Sequence, residues 1–194
     1  MVSLRERNRL NAMRATQRAA LRLFQERGFG NVTVGEIADE VGMAPSTLYR
    51  HFMTKEDIII WDEHEPAIGK ALVKAVLKNQ PIFESLRTVL VDELGSRYDN
   101  DLEFQLARVQ YIYATDELHA AAIEADLENR EELTEALEQI MTKRNRQAAL
   151  IIAGASLLAL DVAIERWQAN DARTPLKVLI EESFAQLTQL DTLR

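Results

Sequence analysis

The sequence predicts an all-α fold, with a three-helix N-terminal head of helix-turn-helix form followed by a larger helical body. Three observations lead to this prediction. Glycine and proline number only seven and four among 194 residues, so long uninterrupted elements are expected. Apolar residues recur at helical spacing along the chain, and no strand pattern competes with them. Finally, 47% hydrophobic and 28% charged residues are typical of a globular chain with a buried core.

Composition also excludes several classes of protein. The chain has no cysteine, so disulfides, thiolate nucleophiles and zinc sites with sulfur ligands are excluded, and a reducing compartment is expected. The basic N-terminus lacks the apolar stretch of a secretory signal. The longest uncharged stretch, residues 148–160, is shorter than the roughly 20 apolar residues of a membrane-spanning helix. We therefore expect a cytoplasmic protein with no membrane partner.

The net charge of −8 conceals a gradient along the chain. Residues 1–27 hold seven arginines against two glutamates, or +5, whereas residues 61–194 hold 14 basic and 24 acidic side chains, or −10. A basic end on an acidic body is typical of a protein that meets phosphate at one end only. A solvated, arginine-rich helix face explains the same charge equally well.

The first two helices are predicted from their periodicity and their ends. The first is amphipathic and stops at Gly28, because glycine readily takes the conformation that follows a last helical turn. Thr33 is the expected N-cap of the second helix, and Glu36, three residues later, is its reciprocal capping partner. Gly42 is expected to end this short helix.

The third and fourth helices follow directly. Pro45 suits the first position of a helix that we expect to run to Phe52. Thr54 then caps a fourth helix, whose acidic first turn suits the positive end of the helix dipole. Beyond it, polar breaks separate further amphipathic helices near residues 79–81, 95–101, 114–116, 142–145 and 170–174. The simplest division is a head of residues 1–54 and a body of residues 55–194.

The segment from residue 33 to 52 reads as helix, short turn and helix, the sequence form of a helix-turn-helix. Such a motif exposes small and polar groups on the first turn of its second helix to reach base edges, while the opposite face packs inward. The residues predicted to contact DNA on this basis are Pro45, Ser46, Thr47, Tyr49, Arg50, His51 and Lys55. Helix-turn-helix packing also occurs in proteins that never bind DNA, and Arg50 can equally serve solubility.

At these residues the sequence resembles a known family. The segments TVGEIA, VGMAPSTLYRHF and TKED, preceded by AALRLFQERGF, closely resemble the N-terminal domain of the TetR (AcrR-like) transcriptional regulators over about residues 14–60. The resemblance implies a homodimer of about nine helices per chain, whose heads bind a palindromic operator. The remaining helices would form a ligand-binding and dimerising body.

The resemblance also assigns roles to individual residues. It places Thr33 and Lys55 at phosphate contacts, and Tyr49 and His51 where phosphates are gripped. Base or backbone contacts would begin at Pro45, Ser46 and Thr47. Two positions depart from the family pattern: Thr16 stands where an apolar residue is usual, and Ala44 stands where serine is often the cap.

The last two helices are predicted to form the dimer interface, as a four-helix bundle with those of a second copy. Alanines recur every four residues in the first of them, which lets another helix approach closely. The predicted interface residues are Leu150, Ala155, Leu158, Ala159, Val162, Leu176, Ile180, Phe184 and Leu187. The alternative is a hairpin within one chain and no dimer.

The ligand prediction rests on an aromatic group in the body. Phe104, Arg108 and Tyr111 share one helix face, and Trp61 and His64 come from the helix after the head. An aromatic wall with one cation suits a small, largely apolar effector with an acidic group. Alternatively, these aromatic residues are plain core and Arg108 pairs with an acidic neighbour.

Enzymatic functions fit this sequence poorly. Its three histidines lack the spacing of a helical metal site, and it has neither a glycine-rich phosphate loop nor a nucleophile-elbow motif. We expect no catalytic residue, metal or cofactor. The predicted function is that of a transcriptional regulator, a repressor that a small effector releases from its operator, with a bend at Pro66 accommodating the motion.

Overall fold

The computed structural model describes residues 3–63, 71, 81–141 and 144–189, and within these ranges it contains helices and turns but no strand. The all-α prediction is confirmed. The chain divides into two compact units, one comprising Met1–Glu63 and Ala107–Ala122, the other His64–Leu106 and Ile123–Arg194. The first unit is thus larger than the predicted head of residues 1–54.

The first unit begins with four helices, and their caps explain where they start. They are α1 (Leu4–Arg27), α2 (Val34–Glu40), α3 (Pro45–Tyr49) and α4 (Lys55–Ile60), with a 3-10 turn at Phe29–Asn31. The predicted capping box of Thr33 and Glu36 is present, and Thr54 forms a second box with Asp57. Pro45 holds the first position of α3 without a side-chain cap from Ala44.

The turn between α2 and α3 depends on Gly42, whose φ of 64° lies in the left-handed region that favours glycine. Helix α3 is shorter than predicted. It ends at Tyr49, and the amides of His51 and Phe52 both donate to the carbonyl of Leu48 in a closing turn.

An aromatic cluster forms the core of the first unit. Phe24 is fully buried, with Phe29 edge-on at 5.0 Å between ring centroids and Tyr111 stacked at 6.3 Å. Thr16, the departure from the family pattern in α1, is also fully buried. Its hydroxyl donates to the carbonyl of Ala12 at 2.9 Å, so the core accommodates this polar atom without an unsatisfied donor.

The remaining described residues form further helices of very different lengths. They are α5 (Ile82–Val89), a π-helical segment (Leu90–Gly95), α6 (Ser96–Asn100), α7 (Leu102–Ala114), α8 (Asp116–Ile140), α9 (Arg146–Ala169) and α10 (Leu176–Gln189). The breaks predicted near residues 114–116, 142–145 and 170–174 coincide with helix ends. The break predicted at residues 95–101 is narrower than expected, because helical backbone continues from the π segment through α6 and is interrupted only at Asp101, whose φ is −131°.

The α9–α10 hairpin corrects part of the predicted dimer interface. Leu176, Ile180 and Phe184 of α10 and Ala159 of α9 are buried in their own chain, as core of the second unit. They are buried because α10 packs its apolar stripe against α9 and the π segment rather than leaving it for a second copy. Leu158, Leu150 and Val162 remain exposed on α9, at 64%, 39% and 40%.

Helix α9 is the one helix among the described residues that is long and apolar enough, by length and composition, to cross a membrane. Only 28% of its most apolar window is buried within the chain. The core helices of globular proteins pass the same test. Length and composition alone therefore do not determine whether protein or lipid covers the exposed apolar residues of α9.

Candidate nucleic-acid interface

Helix α3 presents one face to the core and the other to solvent. Leu48 is fully buried and Phe52 is 3% exposed, so these two side chains anchor the motif on the first unit. On the opposite side, Pro45 and Ser46 are exposed and Thr47 is half-buried. The first turn of α3 therefore offers small and polar groups at the surface, as a helix that reads base edges requires.

Two large side chains extend this surface beyond the first turn. Tyr49 is 54% exposed, so its ring is not a core element. Met53, which the sequence analysis did not single out, is 85% exposed in the link between α3 and α4. Hydrophobic periodicity cannot predict the exposure of a residue in a short link. That Met53 faces solvent becomes clear only once Phe52, beside it, is seen to pack inward.

Positive charge surrounds the end of α3. Arg50 donates from Nη2 to the hydroxyl of Thr47 at 3.3 Å. Partial burial, and then the charges of Arg9 and Arg50, lower the pKa of His51. Arg9, near the start of α1, was not among the predicted contacts, and its effect on His51 brings the basic end of α1 to the same surface.

Thr33 is exposed, but its hydroxyl already serves the start of α2. It accepts from the amide of Glu36 at 3.3 Å and donates to the Glu36 carboxylate at 2.8 Å. The guanidinium of Arg27, followed by the Thr33 amide and hydroxyl, lowers the pKa of Glu36 to about 2. A phosphate contact by Thr33 therefore competes with this local network.

The structure gives Lys55 a different role from the predicted phosphate contact. Its Nζ donates to the carbonyls of Phe29 at 2.7 Å and Val32 at 3.1 Å, and it lies 3.9 Å from the centroid of the Phe29 ring. The ammonium turns inward because these carbonyls and the ring face offer it partners at once. Lys55 thus fastens the start of α4 to the turn after α1.

Several arginines of α1 are engaged in ion pairs rather than standing open to solvent. Arg14 pairs with Glu63, Arg22 with both Glu26 and Glu40, and Arg27 with Glu36. The charge surplus of the first 27 residues is therefore partly neutralised within the first unit. Arg9 likewise pairs with Glu6, at 3.2 Å, and its charge and that of Arg50 both act on His51, at the end of α3.

The predicted ligand residues are placed differently from expectation. Arg108 is 3% exposed, and its guanidinium donates to backbone carbonyls at the end of α4 and to Asp62 at 3.5 Å. Tyr111 donates its hydroxyl to the carbonyl of Phe24 at 3.0 Å. Trp61 packs edge-on against Phe52 at 5.9 Å. These three residues complete the first unit instead of lining an open aromatic wall with a free cation.

The remaining site predictions have different outcomes. Phe104 lies half-buried on α7, and its role as a ligand contact stays a prediction. His64 and Pro66 lie outside the described residues. Among the residues that the structure describes, no group of three or more His, Asp or Glu side chains could hold a metal ion.

Comparison with known families and proteins places both parts of the chain. Residues 18–60 match the family model described as bacterial regulatory proteins of the tetR family, and residues 80–191 match the MftR C-terminal domain. The chain is 35% identical over 81 residues to the HTH-type transcriptional regulator AcrR of Shigella flexneri, covering 40% of this chain and 37% of that protein. It is 32% identical over 88 residues to the uncharacterized HTH-type transcriptional regulator YerO of Bacillus subtilis (strain 168), covering 43% and 29%. The matches thus span about a third of these relatives' length.

Solved structures share the fold over nearly the whole chain. FadR of Thermus thermophilus, a transcriptional repressor solved with lauroyl-CoA, has a TM-score of 0.58 at 19% identity, covering 94% of this chain and 96% of that one. NalD of Pseudomonas aeruginosa, the secondary repressor of a multidrug efflux pump, has a TM-score of 0.57 at 18% identity, with the same coverage. At these identities the likeness concerns the fold alone.

Proposed function

The chain belongs to the TetR family of bacterial regulatory proteins, whose members are transcriptional regulators rather than enzymes, and we propose from this that it is a ligand-responsive repressor that binds a palindromic operator as a homodimer. The observation that carries the DNA contact is the exposed first turn of α3 above its buried anchor, Leu48. The proposed contacts are Pro45, Ser46, Thr47, Tyr49, Arg50 and His51, joined by Met53 and Arg9. A chromosomal operator also implies a cytoplasmic location.

The proposed contacts divide into two kinds. The first turn of α3, Ser46 and Thr47, is placed to reach base edges in the major groove. Tyr49, Arg50 and His51 follow it and are suited to phosphate oxygens, which fix the position of the helix without reading sequence. Thr33 is proposed as a weaker phosphate contact, because its hydroxyl also caps α2. Lys55 is not among the proposed phosphate contacts.

A substitution at Tyr49 tests the DNA contact. The probe is a duplex that the wild-type chain selects from a random-sequence pool, with affinity followed by fluorescence anisotropy. Tyr49→Ala removes a hydrogen bond to phosphate and a ring contact, so we expect affinity to fall tenfold or more, since a hydrogen bond to a charged group contributes on the order of 1.5–3 kcal/mol. Leu102→Ala changes an exposed apolar residue of α7 and serves as the control.

Two outcomes would contradict the DNA contact. Phosphate-dominated binding must weaken steeply as salt concentration rises. A wild-type chain that selects no duplex, or whose association with DNA ignores salt, is instead a helical binding module without a nucleic-acid partner. Unchanged affinity in Tyr49→Ala, with the variant folded, would remove Tyr49 from the interface.

The proposed dimer rests on the outer face of α9. Leu150, Leu158 and Val162 are exposed there together with Ile151, which is 62% exposed, and Ala155 lies half-buried among them. A second copy related by two-fold symmetry would cover this face and pair two heads for one palindrome. The charged Asp161 and Glu165, exposed beside it, favour a protein partner with solvent at its edge over a lipid one.

The proposed effector is a small, largely apolar molecule. Support comes from the aromatic residues of the body and from the fold shared with the Thermus thermophilus FadR, which was solved in complex with lauroyl-CoA. Arg108 is withdrawn as the cation for an acidic group, since its donors face backbone carbonyls. Acyl-CoA esters of graded chain length, added to the complex with the selected duplex, test this proposal: release by none of them removes the acyl-CoA class.

A further inference from the structure

The C-terminal end of α4 presents carbonyl groups that its own helix cannot satisfy. Helix α4 has only six residues and ends at Trp61. The last carbonyls of any helix lack an intrahelical donor, and most helices satisfy them locally, often with a glycine after the last turn. Here no glycine follows, and the donors are side chains from two other helices.

Gln17 of α1 and Arg108 of α7 share these carbonyls. Gln17 donates from Nε2 to Ile59 at 3.1 Å and to Trp61 at 2.7 Å. Arg108 donates from Nη1 to the same two carbonyls at 3.1 and 3.2 Å, and to that of Ile60 at 3.4 Å. The end of α4 is therefore tied to α1 and α7 at once.

Both donors are buried, at 5% exposure for Gln17 and 3% for Arg108. Burying a guanidinium is costly unless hydrogen bonds and opposite charge compensate. The negative end of the α4 dipole and the carboxylate of Asp62, 3.5 Å from Nη2, supply this compensation. A guanidinium buried this completely is held in one orientation, and so are the carbonyls that it contacts.

Gln17, Arg108 and the carbonyls that they hold at the end of α4 form a clamp. Two contacts extend from this clamp to α3, the proposed recognition helix. The Trp61 carbonyl is held by Gln17 and Arg108, and the Trp61 ring packs edge-on against Phe52 at 5.9 Å. Phe52 in turn donates its amide to the carbonyl of Leu48, the buried anchor of α3, at 3.0 Å. Tyr111 lies one helical turn from Arg108 on α7, and its hydroxyl donates to the carbonyl of Phe24 in α1. This hydrogen bond holds α7, and with it the backbone of Arg108, against α1.

We propose that Arg108 is a positioning residue for DNA recognition, which holds Trp61 and, through Phe52, sets the placement of α3 on the first unit. The inference rests on the proposed operator binding, because it names what positions that surface. Arg108 touches no nucleotide in this proposal. Its loss would therefore affect sequence-specific binding more than the nonspecific attraction between positive charge and phosphate.

The test compares affinity for the selected duplex with affinity for a scrambled duplex of equal length. For Arg108→Gln we expect the ratio of the two affinities to fall at least tenfold, and for Arg108→Lys, which keeps the charge, we expect part of the ratio to return. A purely structural role would lower the folded fraction and reduce both affinities equally. Arg173→Gln, at a side chain that is 82% exposed, is the matched control.

A spectroscopic signature separates the clamp from the DNA result. The chain has two tryptophans, so incorporation of 5-fluorotryptophan gives two 19F resonances, assigned with Trp61→Phe. We expect Arg108→Gln to shift the Trp61 resonance and to leave that of Trp167 in place. An unmoved Trp61 resonance overturns the clamp.

The remaining outcomes are also decisive. A folded Arg108→Gln with the wild-type affinity ratio overturns the positioning role. If that variant does not fold, Arg108→Lys and Gln17→Met decide, and a wild-type ratio in both overturns it. A wild-type chain that selects no duplex refutes the proposed operator binding and the recognition role together, whereas the Trp61 resonance still reports on the clamp.

Discussion

For single side chains, burial decides which of the predicted charges remain at the surface. Lys55 was expected to contact a DNA phosphate and Arg108 a small effector, and both instead donate to backbone carbonyls. Carbonyls at turns and helix ends need donors, and the charge-assisted hydrogen bonds of a long cationic side chain offset the rotamer entropy that it loses in making them. Tyr49 stays 54% exposed, with no such partner among the residues that the structure describes.

A carboxylate on α8 is partly buried, and its burial changes its pKa. Asp126 is half-buried, and its burial, followed by the charge of Asp161, raises its pKa to about 6. The unfolded carboxyl titrates near 3.8, so between these pH values the folded chain holds the extra proton. The free energy of unfolding therefore falls as the pH rises through this window, and the full penalty is present above it.

Replacing this carboxylate should stabilise the protein at neutral pH. For Asp126→Asn we expect a gain of about 1 kcal/mol at pH 7.5, allowing for the exposed part of the side chain, and a smaller gain at pH 4.5. Urea denaturation followed by circular dichroism at the two pH values measures it. Glu128→Gln, at an exposed position on the same helix, is the control, and an equal gain at both pH values would refute the assigned cause.

At the level of secondary structure, helix starts are better predicted than helix interiors. The caps Thr33 and Thr54, and Pro45 at the first position of α3, are predictable from a few adjacent residues, because each depends on a local hydrogen bond or a local backbone preference. The π segment from Leu90 to Gly95 has no such local signature. It ends at Gly95, and the contact that favours glycine there is made by Lys177, more than 80 residues away.

Gly95 is a point of close backbone approach. A Cβ atom added there would lie 2.8 Å from Cβ and 2.9 Å from Cα of Lys177, too close for either helix to remain in place. For Gly95→Ala we therefore expect destabilisation by about 1–3 kcal/mol, although alanine favours helix over glycine elsewhere. Thermal unfolding measures the change.

Gly30 provides the matched control for this substitution. A Cβ added at Gly30 meets no atom within 4 Å, so Gly30→Ala should leave the unfolding free energy within about 0.5 kcal/mol of wild type. Equal effects of the two substitutions would mean that the contact with Lys177 is not what constrains Gly95.

For the whole molecule, the most consequential feature is the apolar face that α9 leaves uncovered. The apolar stripe of α10 is buried in the core of its own chain. The proposed dimer therefore depends on α9 more than the sequence suggested. Leu158, at 64% exposure, is the most exposed apolar residue of this face. Covering such a surface is favourable by about 25 cal/mol per Å² of apolar area removed from water.

A charge on this face should separate the copies. For Leu158→Asp we expect the Kd of the dimer to rise a hundredfold or more, because the carboxylate would lose its hydration in the interface. Sedimentation velocity measures the association, and circular dichroism checks that the variant stays folded.

The control for the dimer prediction is Leu102→Asp, since Leu102 is 40% exposed but lies on α7. A Leu158→Asp variant that sediments as wild type would place the interface elsewhere on the chain. A wild-type chain that is monomeric at micromolar concentration would refute the proposed dimer itself.

Local sequence patterns predicted the all-helical class, the starts of α2, α3 and α4, and the helix-turn-helix. These follow from patterns within a few residues, where periodicity and local hydrogen bonding act. Tertiary structure decided how the cations and the apolar stripes are used: Lys55 and Arg108 at carbonyls, the α10 stripe in the core and Leu158 outside. These outcomes depend on which atoms lie nearby in space, and contacts between Arg108 and Ile59, 49 residues apart, are set by packing that no local pattern encodes.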